Sequence, residues 1–91
     1  MSGFPFSEKR IQKNKFIREF KESVNTGELV WHQDREDRVV VVESSNGWKI
    51  QYENKLPVEL RDGDILYIKA YTYHRVIKGS GNLKVVVEKL L

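Results

Sequence analysis

Two histidines and one aspartate are the residues of this chain whose types and spacing could do chemistry. His32 and Asp34 are separated by a single residue, and His74, the only other histidine, follows much later. In an extended strand, side chains at positions i and i+2 point to the same face, so His32 and Asp34 can converge on one point. Two imidazoles and one carboxylate form a ligand set that holds a divalent metal and leaves open coordination positions. The pattern therefore predicts a metal site at His32, Asp34 and His74, provided that a second strand brings His74 alongside.

The composition is that of one small globular domain. The chain has 91 residues, of which 40% are hydrophobic and 32% charged, and it contains no cysteine. Disulfide bonds and thiolate ligands are thereby excluded. No apolar segment has the length of a membrane span or the form of a secretory signal, so we expect a cytoplasmic protein without membrane association.

The formal net charge of +3 comes from a local excess of basic residues in the N-terminal segment. Between residues 7 and 24 the lysines and arginines are interspersed with glutamates. Such mixed charge is typical of a solvated face, whereas nucleic-acid sites usually have massed basic residues. We therefore do not expect a nucleic-acid partner.

The segment 8–24 carries the pattern of an amphipathic helix. Ser7 could cap its first turn, and Phe16, Phe20 and Val24 recur every four residues, which would form one apolar stripe. The sequence therefore predicts an N-terminal unit, residues 1–26, that consists of an arm and one α-helix. The stripe would dock on a sheet.

From residue 28 onward the pattern changes to short runs rich in Val, Ile, Tyr and Trp, separated by turn residues such as Asn46-Gly47. This alternation predicts an all-β unit over residues 27–91, folded as an antiparallel barrel or sandwich. The predicted strands lie at about 28–33, 38–44, 47–53, 56–60, 64–69, 73–78 and 82–89.

The stretch from Gly27 to Val87 resembles the cupin family, whose barrel is a double-stranded β-helix, or jelly roll. The first cupin motif places a His-x-His pair after a glycine and before a hydrophobic strand, and here Gly27 precedes His32-Gln33-Asp34 and Val39 to Val42. The second motif begins with Gly and ends with His, and here Gly63-Asp64 leads to His74 in register. The resemblance implies a cupin-like barrel, to which the predicted N-terminal helix would be added. It also implies a metal held by His32 and His74, with Asp34 as a substitute for the family's second histidine.

The departures from the cupin motifs concern both charge and backbone. The family's glutamate ligand would fall at Arg38 or Val39, and Lys69 and Tyr71 replace the proline and second glycine of the second motif. Arg38 could pair with Asp34 and leave the site without a metal, or it could clamp a substrate carboxylate. Glu36 or Asp37 could also supply a fourth ligand.

The predicted function is that of a small metal-binding cupin domain whose ion, Fe, Mn, Ni or Zn, acts on or holds a small polar molecule. The alternative is a metal-free binding module for a sugar or a carboxylate. In either case the small-molecule ligand would meet Arg38, Trp48 and Tyr67. Catalysis and simple binding both stay open.

A homodimer is the expected assembly. The run Val39 to Val42 would be apolar on both faces of its strand. One face must pack in the core, and the other must meet the helix stripe or a partner sheet, because exposed apolar edges promote pairing.

Overall fold

The computed structural model describes residues 4–91 as two antiparallel sheets packed face to face. The elements are β1 Ser7–Gln12, β2 Lys15–Phe20, a 3-10 turn Thr26–Glu28, β3 Asp37–Ser44, β4 Lys49–Tyr52, β5 Val58–Glu59, β6 Ile65–Ile68, β7 His74–Ile77 and β8 Leu83–Leu90. The larger sheet has five strands in the order β1-β2-β8-β3-β6, and the smaller has three in the order β5-β4-β7. The predicted all-β barrel is confirmed.

The predicted N-terminal helix is wrong, because the segment forms the hairpin β1–β2. Strand β2 pairs along its whole length with β8, from Lys15 opposite Glu88 to Phe20 opposite Leu83. A spacing of four residues is compatible with one face of a helix and equally with one face of a strand, so the Phe16 and Phe20 pattern does not discriminate between them. Pairing with β8 decides for the strand.

The predicted strand at 28–33 is also largely absent. A 3-10 turn occupies Thr26–Glu28, and the strand pairing that remains there is a single bridge between His32 and His74. The segment is thus irregular up to His32.

The core lies between the inner faces of the two sheets. Along β3, Val40 and Val42 are buried while the alternate residues Val39 and Val41 lie on the outer face and are half-buried. Strand β8 repeats this alternation with Leu83, Val85 and Val87 inside. Both faces of the valine run are therefore apolar, and the outer one has no helix over it.

Within residues 4–91 there is no helix with the length and hydrophobicity that crossing a bilayer requires.

Candidate metal centre and cavity

The backbone brings the two histidines together. The His32 N–H donates to the carbonyl of His74 at 3.0 Å, and the His74 N–H donates to the carbonyl of His32 at 2.9 Å. A mutually bonded antiparallel pair places both side chains on the same face. The two imidazole centroids accordingly lie 4.4 Å apart.

Asp34 extends to the same point from two residues beyond His32. Its carbonyl accepts a hydrogen bond from the Tyr71 N–H at 2.7 Å, which fixes the backbone there. Its Oδ2 atom lies 3.4 Å from His74 Nε2. Potential ligand atoms of His32, Asp34 and His74 all lie within 4.8 Å of one another. The structure therefore brings together the three residues that the sequence pattern singled out.

Both imidazoles are oriented by backbone carbonyls. His32 Nδ1 lies 2.9 Å from the Val30 carbonyl oxygen, and His74 Nδ1 lies 2.8 Å from that of Thr72. A carbonyl oxygen can only accept, so each Nδ1 carries a proton, and the neutral form of each ring has its lone pair at Nε2. Histidines that ligate metals typically donate their other ring N–H in this way.

Burial at the site favours the uncharged form of His74. Burial lowers the pKa of His74 below its usual value, and the hydrogen bond to Thr72 offsets this only in part. His74 is 5% exposed, whereas His32 is exposed at the mouth of the cavity. A buried neutral imidazole that faces a carboxylate presents a lone pair to it instead of a proton.

One oxygen of Asp34 is consequently left without a partner. Asp34 Oδ2 is buried and has no hydrogen bond to any of residues 4–91. Buried polar atoms are normally satisfied, and a cation bound between the two imidazoles would satisfy this carboxylate oxygen. The donor set and this orphaned oxygen both fit a divalent metal.

Arg38 lies at the same end of the cavity, on β3, with its side chain 13% exposed. Its Nη1 atom lies 3.4 Å from Asp34 Oδ1, and its Nε donates to Glu36 Oε2 at 2.8 Å. Burial raises the pKa of Glu36, but the hydrogen bond and charge of Arg38 outweigh burial and bring the pKa below its usual value. Arg38 thus engages Oδ1 of Asp34 and leaves Oδ2 available.

Neither Glu36 nor Asp37 is placed to act as a fourth ligand. Glu36 is held by Arg38, and Asp37 accepts hydrogen bonds from the Tyr67 hydroxyl and the Ala70 N–H. Both carboxylates are therefore engaged away from the histidines.

The structure does not place Trp48 or Tyr67 at the cavity, contrary to their predicted role in ligand binding. Trp48 is fully buried in the core, and its indole N–H donates to the Gly81 carbonyl at 2.7 Å. Tyr67 is 58% exposed, because Leu66 and Ile68 take the inward positions of β6 and the alternation turns Tyr67 outward.

The histidines and Asp34 open into a cavity of about 330 Å³ between the sheets. Its remaining wall is mostly aliphatic and aromatic, and the arm residues Phe4, Pro5 and Phe6 close part of it. These residues belong to the predicted N-terminal arm, whose location the sequence did not indicate. The contact that places it is between the tilted rings of Phe6 and Phe20, whose centroids lie 5.2 Å apart.

The sequence matches no family model, and no curated protein is similar to it in sequence. Solved structures, in contrast, are similar in fold. A cupin-2 domain protein from Shewanella frigidimarina is 20% identical with a TM-score of 0.68, over 92% of this chain and 80% of that one. A cupin domain from Bordetella pertussis is also 20% identical, with a TM-score of 0.65 over 94% and 92%.

An enzyme structure is similar as well. Hydroxypropylphosphonic acid epoxidase from S. wedmorenis is 13% identical with a TM-score of 0.66, and the match spans 84% of this chain but 42% of that one. Together the comparisons show that the chain has the cupin fold that its motifs predicted.

Proposed function

We propose that the protein is a metal-binding cupin domain that holds one divalent ion through His32, Asp34 and His74 and binds a small molecule in the adjoining cavity. The observation that carries the proposal is the buried, unpartnered Oδ2 of Asp34, which lies beside two imidazoles whose Nε2 lone pairs are free. Fe, Mn, Ni and Zn are all compatible with this nitrogen and oxygen donor set.

The protein's own groups have distinct tasks in this function. The carbonyls of Val30 and Thr72 fix the imidazole orientations, and Arg38 holds the second oxygen of Asp34. A bound ion would supply Lewis acidity and open coordination positions for a ligand atom. The cavity between the sheets would exclude water from that ligand.

The test is metal uptake by protein purified without an affinity tag. We expect about one zinc or nickel ion per chain by calorimetry and elemental analysis. His74→Ala and Asp34→Asn should lower the affinity by more than about 100-fold, because loss of even a hydrogen-bond partner of a ligand costs 10–100-fold. Glu59→Gln is the matched control: Glu59 is an exposed carboxylate on β5, remote from the cluster, and its variant should bind metal like the parent.

Circular dichroism would establish that each variant is folded. Metal content that is unchanged in His74→Ala would eliminate the three-residue site.

A metal-free binding module is the second candidate, and the contact between Arg38 and Asp34 is the observation that favours it. In that case Arg38 would bind an anionic ligand once released from Asp34. The two candidates differ in one variant: Asp34→Asn should weaken ligand binding if a metal mediates it. The same variant should strengthen anion binding if Arg38 acts alone.

A further inference from the structure

The wall of the cavity narrows the kind of molecule that it can hold. Away from the histidines the lining is mostly apolar, with Val40 and Val87 from the larger sheet opposite Ile50 and Val76 from the smaller one. Buried hydroxyl groups need hydrogen-bond partners, and such a wall has none to give. A sugar would therefore lose its hydration without compensation, whereas a hydrocarbon chain would gain by leaving water.

The other polar side chains of the lining are already engaged or lie in solvent. Arg18 is paired with Glu8, and its guanidinium lies 4.2 Å from the centroid of the Phe6 ring. Glu28 also lines the cavity but is exposed. The polar side chains that could contact a buried ligand therefore lie chiefly at the end where His32, Asp34 and His74 are.

The charged residues at the histidine end of the cavity indicate the net charge of the ligand. Arg38 lies between Asp34 and Glu36, so these three groups together carry one negative charge. When an ion is bound, both histidines would coordinate it as neutral imidazoles and add no charge. A divalent ion would leave one uncompensated positive charge in a largely buried site, and a singly charged anion would neutralise it.

We infer that the ligand is a small monocarboxylate with an apolar body, not a sugar or another polyhydroxylated molecule. Its carboxylate would lie at the metal end and its carbon chain along Val40 and Val87. The inference rests on the metal site proposed above. The sequence predicted a small polar ligand, whereas the inferred ligand is polar at one end only.

The experiment measures binding of three probes to zinc-loaded protein by calorimetry. 4-Methylpentanoate has the predicted form, 4-methylpentanamide lacks its charge, and ribonate is a polyhydroxylated acid of similar length. We expect 4-methylpentanoate to bind at least tenfold more tightly than either of the others. Equal or tighter binding of ribonate would overturn the inference.

Neighbouring valines on β8 provide a matched pair of variants. Val87 lines the cavity, while Val86 is half-buried on the outer face of the same strand. Val87→Thr places a hydroxyl in the apolar wall and should weaken 4-methylpentanoate binding several-fold, and Val86→Thr should not change it. Equal effects of the two variants would show that the acid binds outside the cavity.

Zinc uptake is measured first and without any acid, so that the two proposals fail separately. Uptake of zinc without binding of 4-methylpentanoate would overturn the ligand class and leave the metal site standing. Absence of zinc uptake would overturn the metal site and this inference with it.

Discussion

Tyr71 has a left-handed backbone conformation, which glycine adopts more readily than tyrosine. Its φ is 62°, in the left-handed region, and it stands where the cupin motif that this sequence resembles has glycine. The Tyr71 N–H donates to the carbonyl of Asp34, so this turn helps to fix a residue of the proposed metal site. The turn is therefore maintained against the preference of tyrosine.

Tyr71→Gly should therefore raise the free energy of unfolding by roughly 0.5 kcal/mol. Relief of the left-handed strain is worth about 1–2 kcal/mol, and the greater freedom of glycine in the unfolded chain takes back about 0.4–1 kcal/mol. Tyr71 is 62% exposed, so little packing is lost. Urea denaturation measures the change.

Tyr73→Gly is the matched control, since Tyr73 is 45% exposed and its φ is negative. It should destabilise the protein, because it adds the same freedom to the unfolded chain and relieves no strain. Equal destabilisation by the two variants would contradict the strain argument.

At this scale the sequence predicted the convergence of His32, Asp34 and His74, because their spacing and motif register are local properties. It did not predict that carbonyls of Val30 and Thr72 would orient the rings, since those carbonyls lie in irregular segments just before each histidine. It also misplaced Trp48, because an aromatic residue at the start of a strand has the same local pattern whether it faces a cavity or the core.

The strands could be predicted from the sequence where the spacing of apolar residues fits a strand and does not fit a helix. The predicted strands 38–44 and 82–89 correspond to Asp37–Ser44 and Leu83–Leu90. The N-terminal segment was misassigned because Phe16 and Phe20 fit both periods, and its pairing partner β8 lies at the opposite end of the chain. Asn46-Gly47 does form a turn with both φ values positive, but it connects strands of different sheets and not a hairpin.

Gly79 allows the loop between β7 and β8 to pack closely against the Asn46-Gly47 turn. A Cβ atom at Gly79 would overlap the Asn46 carbonyl oxygen and would lie 2.5 Å from the Trp48 nitrogen. Both are backbone atoms, which cannot move aside without disturbing the turn. Gly79→Ala should therefore lower the free energy of unfolding by about 1–3 kcal/mol, the usual cost of overpacking.

Gly27→Ala serves as its control in the same urea experiment. The nearest atom to a Cβ at Gly27 is the Asn25 side-chain oxygen at 3.3 Å, and that side chain can adjust. We expect a change within about 0.5 kcal/mol, as is usual at surface positions. A neutral Gly79→Ala would mean that the loop does not pack closely on the turn.

At the scale of the whole molecule, the outer face of the larger sheet carries an apolar row that no other element of residues 4–91 covers. Cross-strand pairing aligns Ile17 with Val86, Val86 with Val41 and Val41 with Ile65, so one apolar row crosses four strands. Ile65 is 72% exposed, and it lies on β6, an edge strand of that sheet. The helix that was expected to cover this face is a hairpin within the sheet.

A second copy of the chain is the partner that we expect on this face, because a two-fold axis would set the apolar row against itself and remove both copies from water. The protein should sediment as a dimer at micromolar concentration. Ile65→Lys should yield a folded monomer, since an unpaired ammonium group in the interface would have to lose its hydration. Leu56→Lys is the control: Leu56 is 84% exposed in the connection between β4 and β5, on the smaller sheet, and its variant should remain a dimer. A parent protein that sediments as a monomer of 10.7 kDa would show that hydration of this face is tolerated, and that the half-burial of Val41 and Val86 by their neighbours within the sheet is sufficient.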